Sequence, residues 1–158
     1  MDIKAASNAF VEGAHSDGIW SANWKGNEIV TSGLDGTVKL WNVSNNNNNN
    51  DISIQHKATA IIEGGDKAGI QSVVLSPEKV ERGDNNNRVC VSCSQAGNID
   101  IFDVLDDSLE HFKRIDAGIV EAWSVCINPE ADAIGKSSQI YIYIYDYFMS
   151  MMIKLLFN

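Results

Sequence analysis

The sequence predicts an all-β fold built from repeated antiparallel units, and two observations carry that reading. Residues 14–42, AHSDGIWSANWKGNEIVTSGLDGTVKLWN, contain three short β-forming runs separated by turn residues. The pattern then recurs. Gly69-Ile70-Gln71-Ser72-Val73-Val74-Leu75-Ser76-Pro77 repeats the opening Gly18-Ile19-Trp20-Ser21-Ala22-Asn23-Trp24, and a third opening stands at Val120–Pro129. The three openings fall at Trp20, Gln71 and Trp123, about 51 and 52 residues apart, a period that marks a repeat architecture.

The first unit is the cleanest. Ile19–Trp24 is its first strand and Glu28–Ser32 its second, which runs into the turn Gly33-Leu34-Asp35-Gly36. Thr37–Trp41 is its third strand. In the second unit, Val89–Phe102 matches Val30–Trp41, with a slightly longer turn region. Two polar insertions stretch the period: the asparagine run Asn45–Asn50, and Arg82–Arg88 with the sequence RGDNNNR. Both read as disordered surface loops.

The small-His opening Ala14-His15, the turn Asp35 and the terminal Trp41 make the first unit resemble a WD-repeat blade, with Asn42 in place of the aspartate of Trp-Asp. That resemblance implies a hydrogen-bonded chain through His15, Thr31, Asp35 and Trp41. Indole only donates, so Trp41 needs an acceptor near its Nε1. The second unit cannot repeat the chain, because Ala96 replaces the turn aspartate and Phe102 the tryptophan. Packing of Val73, Leu75, Val89, Val91, Ile99 and Ile101 is expected to hold it instead.

Three segments narrow the resemblance: Ala14–Trp24, Val30–Trp41 and Arg114–Val125 (RIDAGIVEAWSV). Together they are similar to the family of small WD-repeat subunits found in the superkiller RNA-decay complex and in the RNA polymerase II-associated Paf complex. The resemblance implies a seven-bladed ring, which needs roughly 280–315 residues. With 158 residues, the chain is expected to form a partial WD-repeat β-propeller of about two and a half blades. Blade one covers about 14–62, blade two about 64–115 and the start of blade three about 116–134. An open arc leaves an uncovered blade face and an unpaired edge, so self-association is expected. Residues 135–158 are expected to lie outside the propeller. Their Ile-Tyr alternation and Gly135-Lys136-Ser137 suit translation of an unspliced intron.

The resemblance also implies a function: a protein-interaction scaffold whose top rim binds partner peptides. In such blades the rim is formed by the residue opening the inner strand, the residue two before it, and the residue before the turn aspartate. Mapped here these are Trp20, Gly18 and Leu34, then Gln71, Gly69 and Gln95, then Trp123 and Glu121. The implied partners are a tetratricopeptide scaffold, an RNA helicase assembly and Paf subunits, in the cytoplasm and nucleus. A substrate receptor of a ubiquitin ligase is the alternative, as is a non-functional truncated product. The first calls for a recruitment module outside the ring, and none precedes residue 10.

Composition excludes other classes. A net charge of −9 leaves no basic stripe for a nucleic-acid backbone. Ile140–Phe157 is mostly apolar, but Asp146 and Lys154 interrupt it, which argues against a membrane anchor. Met1–Phe10 is too polar for a signal sequence. The three histidines, His15, His56 and His111, do not cluster with a nucleophile, so no catalytic residue, cofactor or enzyme activity is expected. Cys90 and Cys93 form a CxxC pair on a strand, where odd spacing sends the side chains to opposite faces. Without a second pair they read as buried thiols, not a metal site, and Cys126 reads the same way.

Overall fold

The computed structural model describes residues 9–46, 51–62, 69–77, 80–82, 85–116, 123–128, 133–137 and 142–146. Among them there is no helix, and all strand pairs are antiparallel. The first sheet has four strands in the order β1 (Ile19–Lys25), β2 (Glu28–Gly33), β3 (Thr37–Asn46) and β4 (Asp51–Ile61). The second runs β5 (Ile70–Leu75), β7 (Asn85–Ser94), β8 (Asn98–Val104) and β9 (Leu109–Asp116), with β6 (Val80–Arg82) paired to β7. The third holds β10 (Ser124–Ile127), β11 (Ala133–Ser137) and β12 (Ile142–Asp146).

Local chemistry sets the turns. Gly26 joins β1 to β2 at φ 61°, and Gly36 and Gly97 close the β2–β3 and β7–β8 turns at φ 72° and 89°. L-residues with a side chain rarely take this backbone shape. Each of the latter turns is closed by one backbone bond, Gly36 N to Gly33 O at 3.2 Å and Gly97 N to Ser94 O at 3.0 Å. The two turns therefore have equal length. The longer turn expected in the second unit is absent, because the extra residues lie at the start of β7. Ala22 pairs with Thr31 as Val73 pairs with Ser92, so Ser92 is the counterpart of Thr31 and Val91 that of Val30.

The blades stack inner strand to inner strand, β1 on β5 and β5 on β10. One apolar cluster joins blades one and two: Val30, Val38, Leu40, Ala58 and Ala60 meet Ile70, Val73, Leu75, Cys90, Phe102 and Val104. A second cluster joins blades two and three: Val89, Val91, Cys93, Ile99 and Ile101 meet Val125 and Ile134. Blade two is thus covered on both faces, which is why VCVSC and IDIF carry so little polar alternation. Cys90 and Cys93 fall in different clusters, on opposite faces of β7. Burial raises both thiols, Cys93 to about 11, so neither is a reactive thiolate.

Four sequence expectations need correction. Cys126 is exposed, because it lies on the face of β10 turned away from blade two. Arg82–Arg88 is not simply a loop: Arg82 pairs with Asn85 in the β6–β7 hairpin. Arg88 also pairs with Glu28 of blade one and donates to Ser76 O at 2.9 Å, tying the blades together. Asn45 and Asn46 extend β3 against Ile52 and Asp51, while residues 47–50 lie outside the described residues. Finally, the boundary placed at residue 134 cuts through β11. Gly135, Lys136 and Ser137 pair with β10, and β12 adds a further strand. Lys136 is 1% exposed, with Nζ 3.5 Å from Gly97 O, and burial lowers its pKa.

Leu75 is fully buried at the first seam. Leu75→Ala should lower unfolding free energy by roughly 2–5 kcal/mol through the cavity it opens, read from the urea midpoint followed by circular dichroism.

Candidate functional site

The loop before β1 folds back over the outward face of β2 and β3, and a polar chain fastens it there. Trp41 Nε1 donates to Thr31 Oγ1 at 2.9 Å. His15 Nε2 lies 2.8 Å from Thr31 Oγ1, and His15 Nδ1 lies 3.0 Å from Asp35 Oδ1. Valence decides the direction at both ends of the chain. Trp41 can only donate, so Thr31 Oγ1 accepts from it. Ionised Asp35 can only accept, so Nδ1 carries the imidazole proton. His15 is 9% exposed and Trp41 5% exposed, although no sheet among the described residues packs on this side of blade one.

Asp35 gathers more donors than the histidine. It accepts from Ser16 N at 3.0 Å, Thr37 N at 3.1 Å and Thr37 Oγ1 at 2.8 Å. Burial by itself raises the Asp35 carboxyl, but the His15 and Thr37 side chains and the two backbone donors outweigh it. They bring it down to about 2 from an ordinary 3.8. Thr37 is a member that sequence reasoning missed, although Asp35-Gly36-Thr37 is a recognisable side-chain-capped turn. Lys39 was missed too; its Nζ holds Ala14 O at 2.6 Å.

Blade two shows what happens without this chain. Ser92, at the position of Thr31, is fully buried, and its Oγ has no hydrogen-bond partner among the described residues. Asp100, at the position of Lys39, is also fully buried. It accepts from Arg114 Nε at 2.8 Å and meets His111 Nε2 at 2.8 Å. This cluster anchors β9 to β8, the work that the His15 chain does for its loop.

The rim residues lie at one end of the inner strands. The β1–β2 register shifts between Ile19 and Ser21, and the β5–β7 register shifts between Ile70 and Ser72. Trp20 and Gln71 are therefore bulge residues, released from the alternation of their strands. The turns clamp onto the strand openings in matching fashion, with Leu34 N donating to Gly18 O at 2.9 Å and Gln95 N to Gly69 O at 3.3 Å. Gly33 admits no side chain, because a Cβ there would fall 2.5 Å from Gly18 O. A Cβ on Gly69 would fall 2.8 Å from Leu34 Cα and 3.0 Å from Trp20 Cζ3. Trp20 and Leu34 thus lie over Gly69 as one patch spanning the first two blades.

The remaining rim residues divide. Gln95 is exposed, and Trp123 is 50% exposed, with its N–H donating to Ser137 O at 3.0 Å. Gln71 turns inward instead, leaving Oε1 buried without a partner among the described residues. Glu121 lies outside the described residues. No group of three or more His, Cys, Asp or Glu among the described residues is placed to hold a metal.

No protein-family model matches the chain. Among solved structures, a crystal structure of Sqt1 from Chaetomium thermophilum, a WD-repeat protein, superposes with a TM-score of 0.65 at 17% identity. The match covers 85% of this chain and 32% of that one. The fold is an arc of a WD-repeat β-propeller. A second Sqt1 structure from the same organism gives a TM-score of 0.64 at the same identity and coverage. The chain therefore spans about a third of the length of the structures it matches.

Two outcomes follow from the polar chain. Thr31→Val should cost roughly 1–3 kcal/mol for each of the two groups it strands, His15 Nε2 and Trp41 Nε1, while Thr31→Ser retains most of the stability in urea titrations. The depressed Asp35 carboxyl contributes stability that is present above its unfolded value near 3.8. That contribution is lost as pH falls toward 2. Asp35→Asn should flatten the pH dependence of the urea midpoint across this window.

Proposed function

We propose that this chain is a protein-interaction scaffold of the WD-repeat kind. In our reading it is a subunit of the superkiller RNA-decay complex, of the Paf elongation complex, or of both, working in cytoplasm and nucleus. The observation that carries the reading is the rim patch. Trp20 and Leu34 lie together over Gly69, half-exposed and in reach of a partner, with Trp123 at the corresponding end of the third inner strand. Aromatic anchors of this kind supply most of the binding energy at protein interfaces, because they desolvate a large surface at low entropic cost.

The polar residues support a scaffold over an enzyme. His15 and Asp35 make the most reaction-like pair in the chain, but their hydrogen-bonding capacity is spent on Thr31, Thr37 and the turn backbone. A catalytic pair needs one of those positions free to meet a substrate proton. The partners we favour are a tetratricopeptide scaffold with its associated RNA helicase assembly, and Paf subunits. Net charge −9 sets any contact with RNA or chromatin through those proteins.

Trp20→Ala and Trp123→Ala should each weaken binding to the superkiller tetratricopeptide scaffold by at least about tenfold, the loss expected for an interface hot spot. Calorimetric titration measures this, with circular dichroism showing an unchanged sheet signal. A double variant that binds with unaltered affinity would remove the rim from the interface.

A further inference from the structure

The dipeptide Asp-Gly occurs twice, at Asp17-Gly18 and Asp35-Gly36, and the fold treats the two carboxyls in opposite ways. Asp-Gly is a step at which a backbone rearranges readily, because glycine has no side chain to keep its own nitrogen from the preceding carboxyl. Both copies lie at the rim end of blade one. Asp17-Gly18 leads into β1, and Asp35-Gly36 joins β2 to β3.

At Asp35 each requirement of that rearrangement is blocked. Its oxygens accept from His15 Nδ1, Ser16 N, Thr37 N and Thr37 Oγ1. The nitrogen that would attack, Gly36 N, donates instead to Gly33 O at 3.2 Å. The same bonds hold the carboxyl at about 2, so at neutral pH it lacks the hydroxyl that must leave. Asp17 is exposed, and among the described residues its side chain bonds only the nitrogen that would attack it. Gly18 N donates to Asp17 Oδ1 at 2.7 Å. The residues on either side are anchored, Ser16 N by Asp35 Oδ2 at 3.0 Å and Gly18 O by Leu34 N at 2.9 Å. Nitrogen and carboxyl are thus kept in contact, the arrangement from which an intramolecular step gains most.

We propose that Asp17-Gly18 is a site of spontaneous isoaspartate formation, and that the polar chain shields Asp35-Gly36 from the same reaction. Gly18 N attacks Asp17 Cγ. The N–Cγ bond forms, the Cγ–OH bond breaks, and the amide proton leaves with the hydroxyl as water. The product is a five-membered succinimide. Solvent water then opens the ring at the former main-chain carbonyl and breaks that carbon's bond to Gly18 N. The chain now runs through Cβ and Cγ, and the old carbonyl carbon is a free carboxylate. One water is released and one taken up, so mass and oxidation state are unchanged. The backbone gains one methylene directly before Gly18. Space there is tight, since even a Cβ on Gly33 would fall 2.5 Å from Gly18 O. The lengthened segment therefore loses its bond from Leu34 N, and the Trp20–Leu34 patch loses its shape. Weaker partner binding is a consequence that rests on the scaffold reading above; the chemistry itself does not.

The test is peptide mapping of the full chain aged at neutral pH and physiological temperature, with electron-transfer fragmentation to separate isoaspartate from aspartate. Isoaspartate should accumulate at position 17 and stay at its starting level at position 35. In concentrated urea both positions should isomerise at comparable rates, because the fold makes the difference between them. Asp17→Glu, at an exposed position, should abolish the signal there, since its side chain is one methylene too long for the five-membered ring. Gly18→Ala should suppress it with the sheet circular dichroism retained, because a Cβ at that position meets Leu34 Cδ1 at an ordinary 3.7 Å. None of these readouts involves a binding partner, so failure of the scaffold reading leaves them unchanged. An unaltered position 17, equal accumulation at position 35 in the folded chain, a preference for position 17 that persists in urea, or a Gly18→Ala chain that isomerises as fast as the parent would each overturn the proposal.

Discussion

The inner strands β1, β5 and β10 are sheet edges, and the rest of the structure depends on how those edges are satisfied. Each is paired on one side only. An unpaired backbone N–H away from water costs about as much as a lost hydrogen bond. The arc answers with side chains from the preceding blade, Ser21 and Asn23 for β5 and Ser72 for β10. This places a small hydroxyl at the same strand position in each blade, and it fixes the vertical register between blades. The apolar clusters of Val30, Leu40, Leu75 and Phe102, and of Val91, Ile101, Val125 and Ile134, then close over a registered edge.

The blades solve their remaining problem differently because their faces differ. Blade two has a neighbour on each side, so Val73, Leu75, Cys90 and Phe102 turn to one and Val91, Ile99 and Ile101 to the other. Burial on both faces and the Asp100 cluster hold it, and it tolerates a stranded hydroxyl at Ser92. Among the described residues no sheet lies behind Thr31 and Trp41 of blade one, and the His15 loop covers them with a chain ending on Asp35. A blade packed on both sides can lose the chain, whereas blade one relies on it. The lowered Asp35 carboxyl is the electrostatic mark of that arrangement.

What the sequence revealed tracks how strictly chemistry ties a residue type to its place. His15, Thr31, Asp35 and Trp41 were legible because an indole donor, a hydroxyl relay, an imidazole and a carboxylate in order have few other uses. The opposite faces of Cys90 and Cys93 followed from strand period alone. The length of the β7–β8 turn was misread, because Val89 and Val91 are equally good matches to Val30, and only cross-strand register separates them. The bulges at Trp20 and Gln71 left no signature in residue type. Cys126 was misassigned because burial depends on whether another blade lies beyond it, which no local pattern records. The start of the tail was misjudged by its odd composition, since Gly135 to Ser137 pair with β10 as ordinary strand.

The bulge is what lets one residue serve the rim without harming the seam. Regular alternation from Ser21 would send position 20 to the rear of its blade, beside Ala22 and Trp24. The register shift lifts Trp20 out of that row, and the bond from Leu34 N to Gly18 O holds the strand opening in the displaced shape. Trp20 then reaches across to Gly69, the glycine that opens blade two, and there is room for it only because Gly69 has no side chain. The rim patch therefore exists only when blades one and two are in register. The Ser21 and Asn23 bonds that set that register also shape the surface a partner would meet, so seam and rim are one mechanical unit. Loosening the seam should blur the patch even with every rim side chain intact.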